Sequence, residues 1–126
     1  MHILSFGVAL LASFGIIVVG ATYLLHPRAA TRSFGLPLPE DGPNITWWLR
    51  LKGVRDVVAG LVVLAMLAWG DPRLVGIVLL VQSLIALGDM SVILAARGST
   101  RTAFGMHGAT AGLMIVGAVP LIAGIA

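Results

Sequence analysis

Asp56, Asp89 and His107, with Lys52 and Arg55 beside them, are the side chains of this sequence that together could do acid–base chemistry. Two carboxyls in different surroundings can divide the roles of proton donor and acceptor. An imidazole titrates near neutral pH and can relay a proton. Lys52 and Asp56 stand four residues apart, the spacing that lets two side chains meet along one helix face. Such a set suits isomerisation, cyclisation or epoxide opening. Hydride transfer fits poorly, because no dinucleotide-binding glycine motif occurs. The stretch Trp47–Gly60, WWLRLKGVRDVVAG, carries three of these five residues and is the hardest to place.

The difficulty comes from composition. The chain has 126 residues, 59% hydrophobic and 10% charged, with a mean hydropathy of +1.05. Soluble domains carry about 25% charged residues, and a soluble chain this small could not hide so much apolar surface. A membrane is the expected solvent, the cell membrane by default. One transmembrane domain over residues 1–126 is expected, because four spans of about 20 residues use most of the chain. There is no cysteine, which removes thiolate nucleophiles, disulfides and cysteine–metal sites. Three scattered histidines give no ligand spacing, so no metal and no cofactor is expected. The net charge of +3 is read as a topology signal, with no nucleic acid as partner.

Residues 3–25 form an uncharged apolar run long enough for the ~30 Å hydrocarbon core. No Lys or Arg precedes it and no small-x-small site follows, so a retained helix is expected, not a signal peptide. His26-Pro27 ends it. Residues 26–45, with four of the six prolines, read as a polar loop with a short interfacial turn at Arg28–Phe34. The second helix is expected over about 46–69. Its purely apolar part, Val57–Trp69, is too short to cross alone. It must recruit Trp48–Asp56, which draws Lys52, Arg55 and Asp56 into the membrane or to its boundary. At about 100° per residue, Trp48, Lys52, Arg55, Asp56 and Ala59 share one face while Arg50 points away to snorkel.

Gly70-Asp71-Pro72 marks a turn. The third helix, about 73–96, carries Gln82 and Asp89 on one face; the fourth, about 102–124, carries His107. Gly108-xxx-Gly112 permits close approach of another helix, which makes a homodimer plausible. The fold class is all-α: an integral membrane four-helix bundle. Arg28, Arg32, Arg50, Lys52, Arg55, Arg97 and Arg101 flank the first and third connections and only Arg73 the second. The positive-inside rule then puts both termini on the extracytoplasmic side. Counting ~1.5 Å per residue, Asp56, Asp89 and His107 fall within about a turn of one depth in the cytoplasmic half.

Acid–base roles therefore fall to Asp56, Asp89 and His107. Binding or electrostatic roles fall to Lys52, Arg55, Arg28, Trp48 and Gln82, with a lipophilic small molecule as the expected ligand. A plainer reading stands beside this one: Lys52 or Arg55 neutralises the carboxylates as a lock on helix register, and His107 donates to a backbone carbonyl. Trp47 and Trp48 read first as aromatic-belt anchors. A transporter or proton path would need oligomers of so few helices.

Pro27-Arg28, Phe34-Gly35-Leu36-Pro37, Lys52-Gly53-Val54-Arg55-Asp56, Gly88-Asp89 and His107-Gly108, in this order on four hydrophobic segments, resemble the domain-of-unknown-function 4267 family. That family is similar to the DoxX-like set of small membrane proteins. The resemblance implies a four-helix membrane bundle and no settled activity. Some DoxX-like relatives are linked to redox or thiol-stress assemblies, which implies the alternative of a non-catalytic accessory subunit. A chain without cysteine does not suit a thiol role.

Overall fold

The computed structural model describes residues 2–125, and every regular element among them is helical. The order is α1 (His2–Leu25), α2 (Pro27–Thr31), α3 (Ile45–Trp69), α4 (Pro72–Ala95), α5 (Thr100–Thr102), a π-helical segment (Ala103–Gly108) and α6 (Ala109–Ala123). The last three form one continuous rod, Thr100–Ala123.

Local chemistry sets the boundaries. Pro27 and Pro72 sit in the first turns of α2 and α4, where a missing N–H costs nothing. Asp71 caps α4 by accepting from Leu74 N at 3.0 Å, and Ser99 caps α5 by accepting from Thr102 N at 3.2 Å. At the far end of α4, Gly98 N donates to Ile93 O at 2.9 Å and Arg97 N to Leu94 O at 3.1 Å. This paired closure needs a left-handed residue. Arg97 supplies it, with φ 55°.

Three helices, α1, α4 and the Thr100–Ala123 rod, are long and apolar enough to cross a membrane, yet only 22%, 17% and 33% of their most apolar stretches is buried. Ile3, Leu11, Phe14, Val81, Leu84 and Val116 point outward. Helices that are apolar all round and so little covered need an apolar solvent. This is a membrane protein. α3 matches the others in length at 25 residues but carries Arg50, Lys52, Arg55 and Asp56 in its first half.

Small residues form the seams, as expected where lipid competes for every apolar contact. α1 packs most extensively on α3. A Cβ at Gly20 would stand 2.7 Å from Gly53 O, one at Gly53 2.7 Å from Gly20 O, and one at Gly60 2.7 Å from Ser13 O. α4 packs on α6 around Gly76, where a Cβ would come 2.9 Å from Ala118 O. Gly117 admits Val8 and so joins the two pairs. Ala9, Val63, Val75, Leu79, Met114, Ala118 and Leu121 make the core between them. Buried Ser13 satisfies its hydroxyl on Ala9 O at 2.6 Å. Gly108-xxx-Gly112 is not a seam within the chain: Gly112 faces open space, and a Cβ at Gly108 would meet the flexible Met90 side chain at 3.0 Å and Ala103 O at 3.5 Å. α3 and α4, by contrast, touch much less than the other neighbours do.

Gly60→Val should therefore separate α1 from α3 and cost ~1–3 kcal/mol by overpacking. Gly112→Val, with nothing to strike, should leave thermal unfolding in detergent unchanged. Equal losses from the two would refute this assignment of the seam.

Candidate functional site

The Gly20–Gly53 contact brings the end of α1 against the start of α3, and with it Tyr23 against Lys52. Lys52 Nζ donates to Asp56 Oδ2 at 2.6 Å, the pairing that i,i+4 spacing allows. The ammonium also lies 4.4 Å from the Tyr23 ring centroid and 4.8 Å from that of Phe34. A carboxylate and two aromatic faces thus replace its water shell. Asp56 is only 8% exposed.

His107 approaches from the opposite side. The π-helical segment takes up an extra residue in the turn, a distortion often found where a side chain must be re-aimed. His107 Nε2 lies 3.0 Å from Phe34 O. A carbonyl can only accept, so Nε2 carries the hydrogen. Nδ1 then faces Asp89 Oδ2 at 3.6 Å, too far for a hydrogen bond but close enough to feel its charge. One proton on either atom turns that contact into an attraction. The Phe34 ring lies 4.7 Å from the His107 ring, tilted by 59°, and meets Tyr23 edge-on at 6.4 Å. Phe34 thus touches Lys52, Tyr23 and His107 at once.

The loop holding Phe34 is strapped down. Gly35 has φ 104°, a conformation that side chains avoid, and its carbonyl accepts from Ser99 N at 2.8 Å. A Cβ on Gly98 would collide with that carbonyl. Gly98 is therefore fixed as glycine by this close approach, and the left-handed position that closes α4 falls on Arg97.

Between α3 and α4 the loose packing leaves a cleft of about 430 Å³ lined by Trp48, Leu51, Lys52, Arg55, Asp56, Ile85 and Asp89. Trp48, Leu51 and Ile85 are exposed on the outer surface, so the cleft opens sideways among the apolar faces. Gln82 Nε2 donates to Ala59 O at 2.9 Å and ties α3 to α4 farther along. A second cavity, about 340 Å³ between Leu4 and Ile125, has no titratable side chain in its lining. Among the described residues, no group of three or more His, Asp or Glu side chains is placed to hold a metal ion.

Asp56, Asp89, Lys52 and Trp48 thus share one cleft, and His107 stands behind Asp89. Arg55 departs from expectation. It is exposed and, among the described residues, has no carboxylate within 4.0 Å; Lys52 alone neutralises Asp56. Arg50, expected to snorkel, instead donates to Leu24 O at 3.2 Å and lies over Trp47, satisfying a free carbonyl at the end of α1. Arg28 is outside the layer and pairs with Asp41 within the loop. Gln82 serves as the tie between helices. Tyr23 and Phe34 are the site residues that sequence reasoning missed. The available signal was thin: Tyr23 is the only tyrosine, and Phe34 precedes a glycine.

A family model described as Domain of unknown function (DUF4267) matches residues 13–121. The chain belongs to this family. No curated protein and no solved structure matches it. Of the five segments on which the DUF4267 resemblance rests, those holding Phe34, Lys52–Asp56, Asp89 and His107 contribute to this layer, and Pro27-Arg28 lies outside it.

Gly98→Ala should push Gly35 away and release Phe34 from His107. Hydrogen exchange across residues 32–36 should accelerate at least tenfold while that of α1 and α6 stays unchanged. Unaltered exchange in the loop would show that the strap is not what holds it.

Proposed function

We propose that the chain crosses the cell membrane four times, with the 26–44 and 96–99 connections in the cytoplasm and both termini outside, and that the α3–α4 cleft takes a lipophilic small molecule from the bilayer. The distribution of basic residues supports this topology. A charged α3 can cross because Lys52 and Asp56 neutralise each other under aromatic cover. The observation that carries the reading is the lateral mouth of the cleft: apolar residues at its rim, Asp56 and Asp89 in its wall. Its volume falls within the ~300–1,000 Å³ of small-molecule sites.

The chemistry that fits is acid–base work of the isomerase, cyclase or epoxide-opening kind. Asp89 moves a proton at the ligand, and His107 Nδ1, 3.6 Å away, takes that proton when the two close to hydrogen-bonding distance. His107 Nε2 donates to Phe34 O. Asp56, held by Lys52, lines the same wall and orients the ligand beside Asp89. A second reading has an observation of its own. The Lys52–Asp56 pair and the His107–Phe34 bond are complete without any ligand, which suits a DoxX-like accessory subunit whose charges lock the helices. In that case the open Gly112 face offers a surface to a second copy or another subunit.

Native mass spectrometry of protein extracted into nanodiscs separates these readings. A single retained lipophilic molecule, lost in Asp89→Asn, is the expected result. Bulk phospholipid held equally by wild type and variant would favour the lock.

A further inference from the structure

Charge balance inside the cleft says more about what it takes. Lys52 is neutralised by Asp56 at 2.6 Å. Asp89 is met by His107, whose Nε2–H is committed to Phe34 O. His107 Nδ1 faces Asp89 Oδ2 at 3.6 Å. Arg55 stands on the cleft wall as a cation with no carboxylate within 4.0 Å of it among the described residues. Arginine does not shed its proton, and an unpaired cation in a bilayer draws an anion or pulls in water.

Depth narrows the choice of anion. Arg50 is held by Leu24 O, at the end of α1, and by Trp47, which on the proposed topology is the membrane edge. Arg55 lies one and a half turns farther along α3, roughly 7 Å deeper at ~1.5 Å per residue. A phosphodiester headgroup would have to drag its glycerol and two chains below the level of its neighbours. A single-chain acid need not: it crosses lipid in its neutral form and ionises against the guanidinium, whose fork matches a carboxylate with two parallel hydrogen bonds. Trp48, Leu51 and Ile85 offer its chain an apolar wall opening to the bilayer.

We infer that the α3–α4 cleft is selective for a lipophilic carboxylic acid, held at its carboxylate by Arg55 with its hydrocarbon chain along Trp48, Leu51 and Ile85. This rests on the reading that the cleft binds lipophilic molecules, and it assigns Arg55 the grip on the carboxylate while Asp89 contacts the same ligand elsewhere along the wall.

The test uses the full chain in phosphatidylcholine nanodiscs, titrated with palmitic acid or its methyl ester and read by native mass spectrometry. Wild type should hold the acid at least tenfold more tightly than the ester. Arg55→Gln should bring the acid down to the ester's affinity and leave the ester unchanged; Arg55→Lys should fall between. Equal affinity for acid and ester in wild type, a comparison that needs no variant, would overturn the inference and leave lipophile binding intact. Binding of neither probe would overturn both. Displacement of the acid by phosphatidylglycerol in mixed nanodiscs, dependent on Arg55, would overturn it in favour of a lipid headgroup.

Discussion

Lys52 and Asp56 stand side by side on the first half of α3, and much of the surrounding structure bears on how they are satisfied. Left apart, each charge would cost roughly 3 kcal/mol or more near the bilayer centre. Joined at 2.6 Å and covered by Tyr23 and Phe34, they can be kept out of water. That cover needs the end of α1 in close contact with α3, which the facing glycines at 20 and 53 permit. It also needs a loop residue held over the layer, which the Gly35–Ser99 bond and the bare backbone of Gly98 provide. The pair itself need not add stability; what it does is fix an arrangement.

The same packing leaves the opposite side of the layer open. The tight pairs α1–α3 and α4–α6 meet mainly through α1 and α6, and α3 and α4 close on each other much less. Gln82 sets a limit to their separation through Ala59 O. Above that tie, both carboxylates reach a cavity with apolar walls.

The all-helical class and the membrane as solvent were legible because long uncharged runs have few alternatives. The shared depth of Asp56, Asp89 and His107 could be counted along helices running in opposite directions, since rise per residue hardly varies. Rotation was less certain. The 100° rule puts Lys52, Arg55 and Asp56 on one broad face but cannot say which edge meets a neighbour, and Arg55 proved to lie on the outer edge. Tyr23 was hidden at the end of an apolar run. Phe34 sits in a loop whose shape depends on Gly98 and Ser99, more than sixty residues later. The π-helical turn that aims His107 leaves no periodicity to read.

Because the chain has no native cysteine, a nitroxide placed by Ile85→Cys reports on the mouth of the cleft without competing labels. Its collisions with oxygen, which concentrates in lipid, should exceed those with a water-soluble nickel chelate, at a depth between the headgroups and the midplane. A label that the nickel chelate reaches as readily as oxygen would place the mouth in water, and a cleft fed from the bilayer would be ruled out.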